Sequence, residues 1–140
     1  MSGVRSLILC DDIRREITGK DIIIGAYAGS IIVTEFPFTL NIAIWLEYEP
    51  EKIGGADIHL QLSYSGKAPS KIKVSINASE LTAVGIPLTR LAVNGDAEGE
   101  LKIELSSDGS SWKLLKTYSV KKGQFASLPT PGTAPPPSST

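Results

Sequence analysis

The chain has 140 residues, of which 41% are hydrophobic and 21% charged, and its 14 basic and 15 acidic residues leave a formal net charge of −1. This length favours one domain that can bury a core without disulfides or metal. The balanced charge excludes a strongly basic field, so we expect no nucleic-acid partner. The one cysteine, Cys10, excludes internal disulfides and any multi-cysteine zinc site.

The N-terminus favours a cytoplasmic location. Its apolar stretch, residues 4–10, is short, and Asp11 and Asp12 follow at once, which is unlike a secretory signal peptide. No run approaches the roughly 18 apolar residues that a membrane helix needs. We therefore expect a cytoplasmic protein with no membrane partner.

The chain opens with two predicted strands. The first covers Val4–Cys10 and leads into a polar connection over residues 11–20. The second is the continuous apolar run Ile22–Ile24. A run that is apolar on both faces predicts either a central strand covered on both sides or a strand that lies against a partner chain.

The clearest strand is predicted over Thr39–Tyr48, after a shorter one at 31–34. Apolar and polar residues alternate there with a period of two, which is typical of a half-buried strand. Ile44 and Leu46 fall on the apolar face, and Trp45 falls on the opposite face.

The remaining pattern predicts a β-sandwich. Further strands are expected at 58–64, 71–77, 86–93, 101–105 and 112–120, with a single helical turn near 79–85. Roughly eight or nine short strands separated by turn residues are typical of an antiparallel sandwich, either immunoglobulin-like or C2-like or a jelly roll. We expect a sandwich domain over residues 1–122 and a Pro/Ser/Thr-rich tail over 123–140.

The first 40 residues resemble the opening of a bacterial family of small all-β proteins that is known as a domain of unknown function. The shared marks are Cys10-Asp11, Gly19-Lys20, the apolar run Ile22–Ile24 with Gly25-Ala26-Tyr27, and Phe36-Pro37. The resemblance implies a β-sandwich in a cytoplasmic bacterial protein, and it implies no activity.

Catalytic machinery is sparse in the sequence. His59 is the one histidine, it lies on the polar face of its predicted strand, and no Gly-x-Ser-x-Gly motif is present. We therefore predict that the protein is not an enzyme and uses no cofactor. A carboxylate-dependent enzyme that uses acids such as Asp11 and Asp96 is a minor alternative.

Four acids offer a weak metal hypothesis. If successive strands run up and down, one rim of the sandwich collects Asp11, Asp12, Asp96 and Glu98. Carboxylates at such a rim suit Ca²⁺, which takes six to eight oxygen ligands. The simpler interpretation, which we prefer, is that these acids solvate turns and form ion pairs with neighbouring basic residues.

An outward tryptophan and the isoleucine run favour an interaction surface. Trp45 is expected to pack under a loop or the tail, to anchor a protein interface, or to stack on a sugar ring. Trp112, in phase with Leu114, is expected in the core. We predict a non-enzymatic protein-interaction module that binds another protein or a second copy of itself through Trp45, Ile22 and Ile24. The alternative is a β-sandwich that binds carbohydrate or calcium.

Overall fold

The computed structural model describes residues 3–123, and the predicted tail lies outside them from residue 124 onward. The described residues form nine strands: β1 Val4–Arg15, β2 Asp21–Ala26, β3 Ser30–Val33, β4 Phe38–Tyr48, β5 Gly54–Tyr64, β6 Ser70–Ala78, β7 Val84–Gly95, β8 Gly99–Ser106 and β9 Lys113–Lys122. The predicted all-β class is confirmed. The helical turn expected near 79–85 is wrong, because bends lead directly into β7 there.

The strands form two sheets. One has the order β2-β1-β4-β7, and the other has the order β3-β9-β8-β5-β6. All neighbouring strands are antiparallel except β3 and β9, which run parallel, so the expected all-antiparallel pairing is wrong at this one place. The pairs β1–β2, β5–β6 and β8–β9 are hairpins within one sheet, and the other connections cross between the two layers, as in a sandwich.

The main core lies between the sheets. The alternation predicted for β4 is confirmed, since Ile42, Ile44 and Leu46 are buried there. Leu60 and Ile103 meet them from β5 and β8, which are paired in the opposite sheet. One inward face from each sheet thus forms an apolar layer that the hydrophobic effect holds together.

Trp112 does not belong to this core. It is half-buried, with the Lys71 ammonium 5.9 Å from its ring centroid, and Leu114 is 50% exposed. The pairing of β8 with β9 shifts by one residue between Ile103 and Glu104. The extra residue is Leu115, and such a bulge puts the side chains on its two sides out of phase, so Leu114 does not share the buried face of Tyr118 and Val120.

The strand that carries the isoleucine run lies at an edge. Within the described residues, β2 pairs with β1 alone, so the expectation of a central strand covered on both sides is wrong. The apolar run therefore needs another explanation, which the shape of the β1–β2 hairpin provides.

Candidate interaction surface on the β1–β2 hairpin

The first strand is longer than predicted and bends. It pairs with β4 up to the partners Cys10 and Ala43, and it continues beside β2 as far as Arg15. The first half of the predicted polar connection, residues 11–15, is therefore strand. Cys10 and Ile13 are three residues apart, yet both face the same apolar cluster, so the regular alternation is broken between them.

Gly25 supports this bend from the other strand of the hairpin. Its φ of +68° lies in the left-handed region that favours glycine. A Cβ atom there would also meet the Asp11 carboxylate, which would have to move. The backbone conformation is therefore the main reason for glycine at this position.

The hairpin folds back over the outer face of the four-stranded sheet. Trp45 lies on that face, between the inward residues Ile44 and Leu46. Its indole Nε1–H donates a hydrogen bond to the Asp21 Oδ2 atom at 3.0 Å, at the start of β2. Trp45 is thus half-buried beside the first residue of strand β2 of its own chain, rather than under a loop, and the predicted tail lies outside the described residues.

Asp21 is the polar anchor of the hairpin. Its carboxylate is almost buried and also accepts a hydrogen bond from the Arg15 Nε atom at 3.0 Å. The hydrogen bond from Arg15, aided by the one from Trp45, holds the pKa of Asp21 below its ordinary value. The sequence did not predict this role, because nothing near Asp21 in the sequence indicates its contact with Trp45, 24 positions away.

A second, small apolar cluster lies beneath the hairpin. Its buried members are Cys10, Ile13 and Ala43, with Ile8, Ile23 and Trp45 half-buried around them. The Cys10 side chain is fully buried. Burial, with a smaller effect from the neighbouring carboxylate of Asp11, raises the pKa of the Cys10 thiol, so it stays protonated and unreactive at neutral pH.

The opposite face of the hairpin is open to solvent. Ile22 is 44% exposed and Ile24 is 41% exposed, and they pair with Arg14 and Asp12 of β1 respectively. Ile17, at the tip of the hairpin, is fully exposed. Ile22 and Ile24 therefore lie on a surface, as expected for interface residues, whereas Trp45 lies on the opposite side of the hairpin.

An open cleft of about 460 Å³ lies under the hairpin tip, lined by Ile8, Gly19, Lys20, Asp21, Ile23, Trp45 and Gly85. A Cβ atom on Gly85 would lie 2.8 Å from the Trp45 Nε1 atom, so glycine at this position leaves room for the indole. Part of the indole therefore borders an accessible space.

The four edge strands differ in how they are protected against pairing with another chain. The β3 edge is only four residues long, and β6 carries Lys71 and Lys73. The β7 edge carries Pro87, and a bulge opposite β4 includes Arg90 at a φ of +61°. Short length, lysine, proline and bulges are the usual protections of edge strands. The β2 edge is six residues long and has no lysine, proline or register shift, and its one charged residue, Asp21, is bound by Arg15 and Trp45.

The four acids of the metal hypothesis are not gathered at one rim. Asp11 and Asp12 lie within β1, and Asp96 and Glu98 lie between β7 and β8. Each has its own partner: the Tyr27 hydroxyl at 2.7 Å, Arg14 at 3.2 Å, Lys67 at 2.7 Å and the backbone N–H of Lys122 at 2.8 Å. No three His, Cys, Asp or Glu residues among 3–123 are grouped so that they could hold a metal ion. The four acids do not meet at one rim because β1 continues as a strand where a loop was predicted.

His59 is half-buried on β5, beside Lys73 of β6 and Ser106 of β8. In the part of the chain that is described, no helix is long and apolar enough to cross a membrane.

No protein-family model matches this chain. No curated protein matches it by sequence.

Proposed function

We propose that this protein is a non-enzymatic protein-interaction module that binds an extended segment of a partner along the edge of β2. The observation that carries the proposal is the contrast among the edges, because β2 alone lacks the usual protections within the described residues. An unpaired strand edge accepts an extended chain through backbone hydrogen bonds, and neighbouring side chains supply specificity.

The side chains of β2 support this mode of binding. Ile22 and Ile24 project from one face of the strand at alternate positions and are each about 40% exposed. A strand added beside them would cover part of this apolar surface, and fully burying such a side chain is favourable by roughly 1.5–3 kcal/mol. The hairpin is already fixed to the sheet by Trp45 and Asp21, so little ordering is needed on binding.

The position of the hairpin in the fold supports the same function. We propose that the frame is immunoglobulin-like, because β9, β8, β5 and β6 are neighbours in one sheet and β1, β4 and β7 in the other. In that frame β2 is an addition at the edge. Functions are usually carried by such additions, since the frame itself hosts many unrelated roles.

A selection of peptide ligands tests this function. Ten-residue peptides displayed on phage would be selected on the full chain, and the enriched peptides titrated by calorimetry. We expect Ile24→Lys to weaken their binding by roughly tenfold or more, which is about 1.4 kcal/mol. Leu114→Lys is the matched control, because Leu114 has similar exposure but lies on β9 between Lys113 and Lys116, and lysine is a usual protection of a strand edge. Equal binding by wild type and Ile24→Lys would contradict the proposal.

A second candidate, carbohydrate binding, is favoured by the cleft that Trp45 borders. A sugar ring stacked on the indole would quench its fluorescence. The test is titration of a Trp112→Phe variant with an oligosaccharide panel, since the chain has only two tryptophans. Saturable quenching that is lost in Trp45→Phe would favour carbohydrate binding. Unchanged emission with every oligosaccharide would exclude it.

A further inference from the structure

We infer that the partner strand is the β2 of a second copy of this chain, paired antiparallel about a two-fold axis at Ile23. The inference rests on the proposed function and names its partner. In a two-fold dimer the same surface must be complementary to itself. The β2 edge meets this condition in its backbone, its apolar side chains and its charges.

The backbone of Ile23 points to the free edge. The Glu16 N–H donates a hydrogen bond to the Lys20 carbonyl oxygen, which sets the alternation of the β1–β2 ladder. By that alternation Ile22 bonds with its partner Arg14, whereas the N–H and C=O of Ile23 face away from β1. Two copies of Ile23 can therefore exchange a pair of backbone hydrogen bonds across the axis.

The side chains on the exposed face then match in register. With Ile23 opposite its own copy, Ile22 of one chain lies opposite Ile24 of the other, and the reverse holds on the far side of the axis. Directly opposite side chains have Cβ atoms about 4.5–5.5 Å apart, so each isoleucine gains an apolar neighbour. The paired hairpins would form a four-stranded sheet with two such isoleucine pairs on its outer face.

The charges in each cross-strand row are also complementary. Arg14 flanks Ile22 and Asp12 flanks Ile24 on the adjoining strand β1. A row across the dimer therefore runs from Arg14 through Ile22 and the second copy's Ile24 to its Asp12. The two ends of each of these two rows carry opposite charges. One row further from the axis, Asp21 lies opposite the second copy's Gly25 and its neighbour Asp11, and these two carboxylates are already bound by Arg15 and by the Tyr27 hydroxyl of their own chains. This complementarity favours a second copy over a partner of unrelated charge pattern.

Cysteine pairing tests the predicted register. Ile22→Cys and Ile24→Cys chains would be oxidised separately and as an equal mixture, with the buried Cys10 left in place and Leu114→Cys as the control for random collisions. In the predicted register, positions 22 and 24 are directly opposite, with Cα atoms about 4.5 Å apart, within disulfide range. Like positions are diagonal at about 7–8 Å and form the bond poorly.

We expect the mixture to form disulfide-linked dimers at least several-fold faster than either variant alone, and we expect sedimentation equilibrium to show a wild-type dimer that Ile24→Lys abolishes. Faster linkage in either unmixed sample, or linkage no faster than that of Leu114→Cys, would overturn the inference. A monomer in which a cysteine at position 22 resists thiol reagents would also overturn it, because another part of the same chain would then cover the edge.

The two proposals can fail separately. If the chain is monomeric but selected peptides lose binding in Ile24→Lys, the second copy is rejected and the interaction function stands. If the chain is monomeric and the peptides are insensitive to Ile24→Lys, both are rejected.

Discussion

The edges formed by β2 and β6 have opposite surface chemistry, although each strand has a single neighbour among residues 3–123. β6 places its apolar residues Ile72, Val74 and Ile76 toward the main core and alternates them with exposed polar residues that include Lys71 and Lys73. Of the three isoleucines of β2, only Ile23 points inward, and Ile22 and Ile24 are exposed. A charged edge repels an added strand, whereas an apolar edge without lysine accepts one. The β6 edge is thus protected against pairing with a further strand, and the β2 edge is not.

The two edges also rest on different supports. β6 is anchored by the large core between the sheets, while β2 is anchored by the small cluster around Cys10 and by the pair Trp45–Asp21. Changes to the small cluster should therefore affect β2 and leave β6 in place. This difference allows each edge to be altered without the other.

The largest expected effect comes from removing the support of β2. Trp45→Ala deletes the largest side chain of the small cluster and leaves Asp21 without its indole donor. We expect a loss of about 2–3 kcal/mol in the free energy of unfolding, less than for a fully buried aromatic residue. Urea unfolding measures it, and hydrogen exchange should show β2 amides exposed while β6 amides stay protected. Equal loss of protection in both strands would contradict separate support.

The next effect comes from converting β6 into an edge like β2. Replacing Lys71 and Lys73 by isoleucine removes the charges that protect β6. We expect the association constant for self-assembly, measured by sedimentation, to rise by roughly tenfold or more, which is about 1.4 kcal/mol. Lys102→Ile is the control, because Lys102 is an equally exposed lysine on β8, an interior strand of the same sheet. The same rise in that variant would show that added apolar surface, rather than an open edge, drives assembly.

A smaller effect is expected from acid. The pKa of Asp21 is lower in the folded chain than in the unfolded chain, so its contribution to stability is complete above the unfolded value. That contribution is lost as the pH falls below about 4 toward the folded value. In a Trp112→Phe background, the emission of Trp45 should change over this range while the strands persist in circular dichroism. In Asp21→Asn, the emission of Trp45 should depend much less on pH. A change in emission near neutral pH would show that a group other than Asp21 is responsible.

The smallest effect is expected from a substitution in the main core, which lies apart from both edges. The Tyr118 hydroxyl is buried and has no hydrogen-bond partner among the described residues, so Tyr118→Phe should change the free energy of unfolding by less than about 0.5 kcal/mol or raise it slightly. Tyr64 is the matched control, because its hydroxyl donates to the Ala97 carbonyl oxygen at 2.5 Å, and Tyr64→Phe should lose about 1 kcal/mol. Neither change should alter association. Equal losses in the two variants would indicate that Tyr118 has a partner after all.

Local patterns were sufficient to predict much of the frame. The alternation in Thr39–Tyr48 identified the inward face of β4, and turn residues marked most strand ends to within a few positions. The solvent position of Ile22 and Ile24 was also anticipated as one option. These features depend on the period of two, which neighbouring residues carry by themselves.

One error has a clear physical cause in a shift of phase within a strand. The extra residue of the β8–β9 bulge is Leu115, which follows Trp112 and Leu114 in the chain. A single extra residue moves every later side chain to the opposite face, and its position depends on how distant strands pair. For this reason Trp112 and Leu114 do not share the buried face of Tyr118 and Val120, and the expectation of Trp112 in the core was wrong. Asp11 and Asp12 were expected in a loop for another reason, because their segment is polar.

The alternation of apolar and polar residues was enough to show that the chain forms strands with one apolar face, because burial of that face follows from the period of two. Which strands lie at the edges, and where the hairpin packs, could be read only from the folded domain. The contact between Trp45 and Asp21 joins residues 24 positions apart, and the contrast between the β2 and β6 edges requires the strand order of both sheets. Such long-range pairing is selected by the packing of the whole domain, which local propensity does not encode.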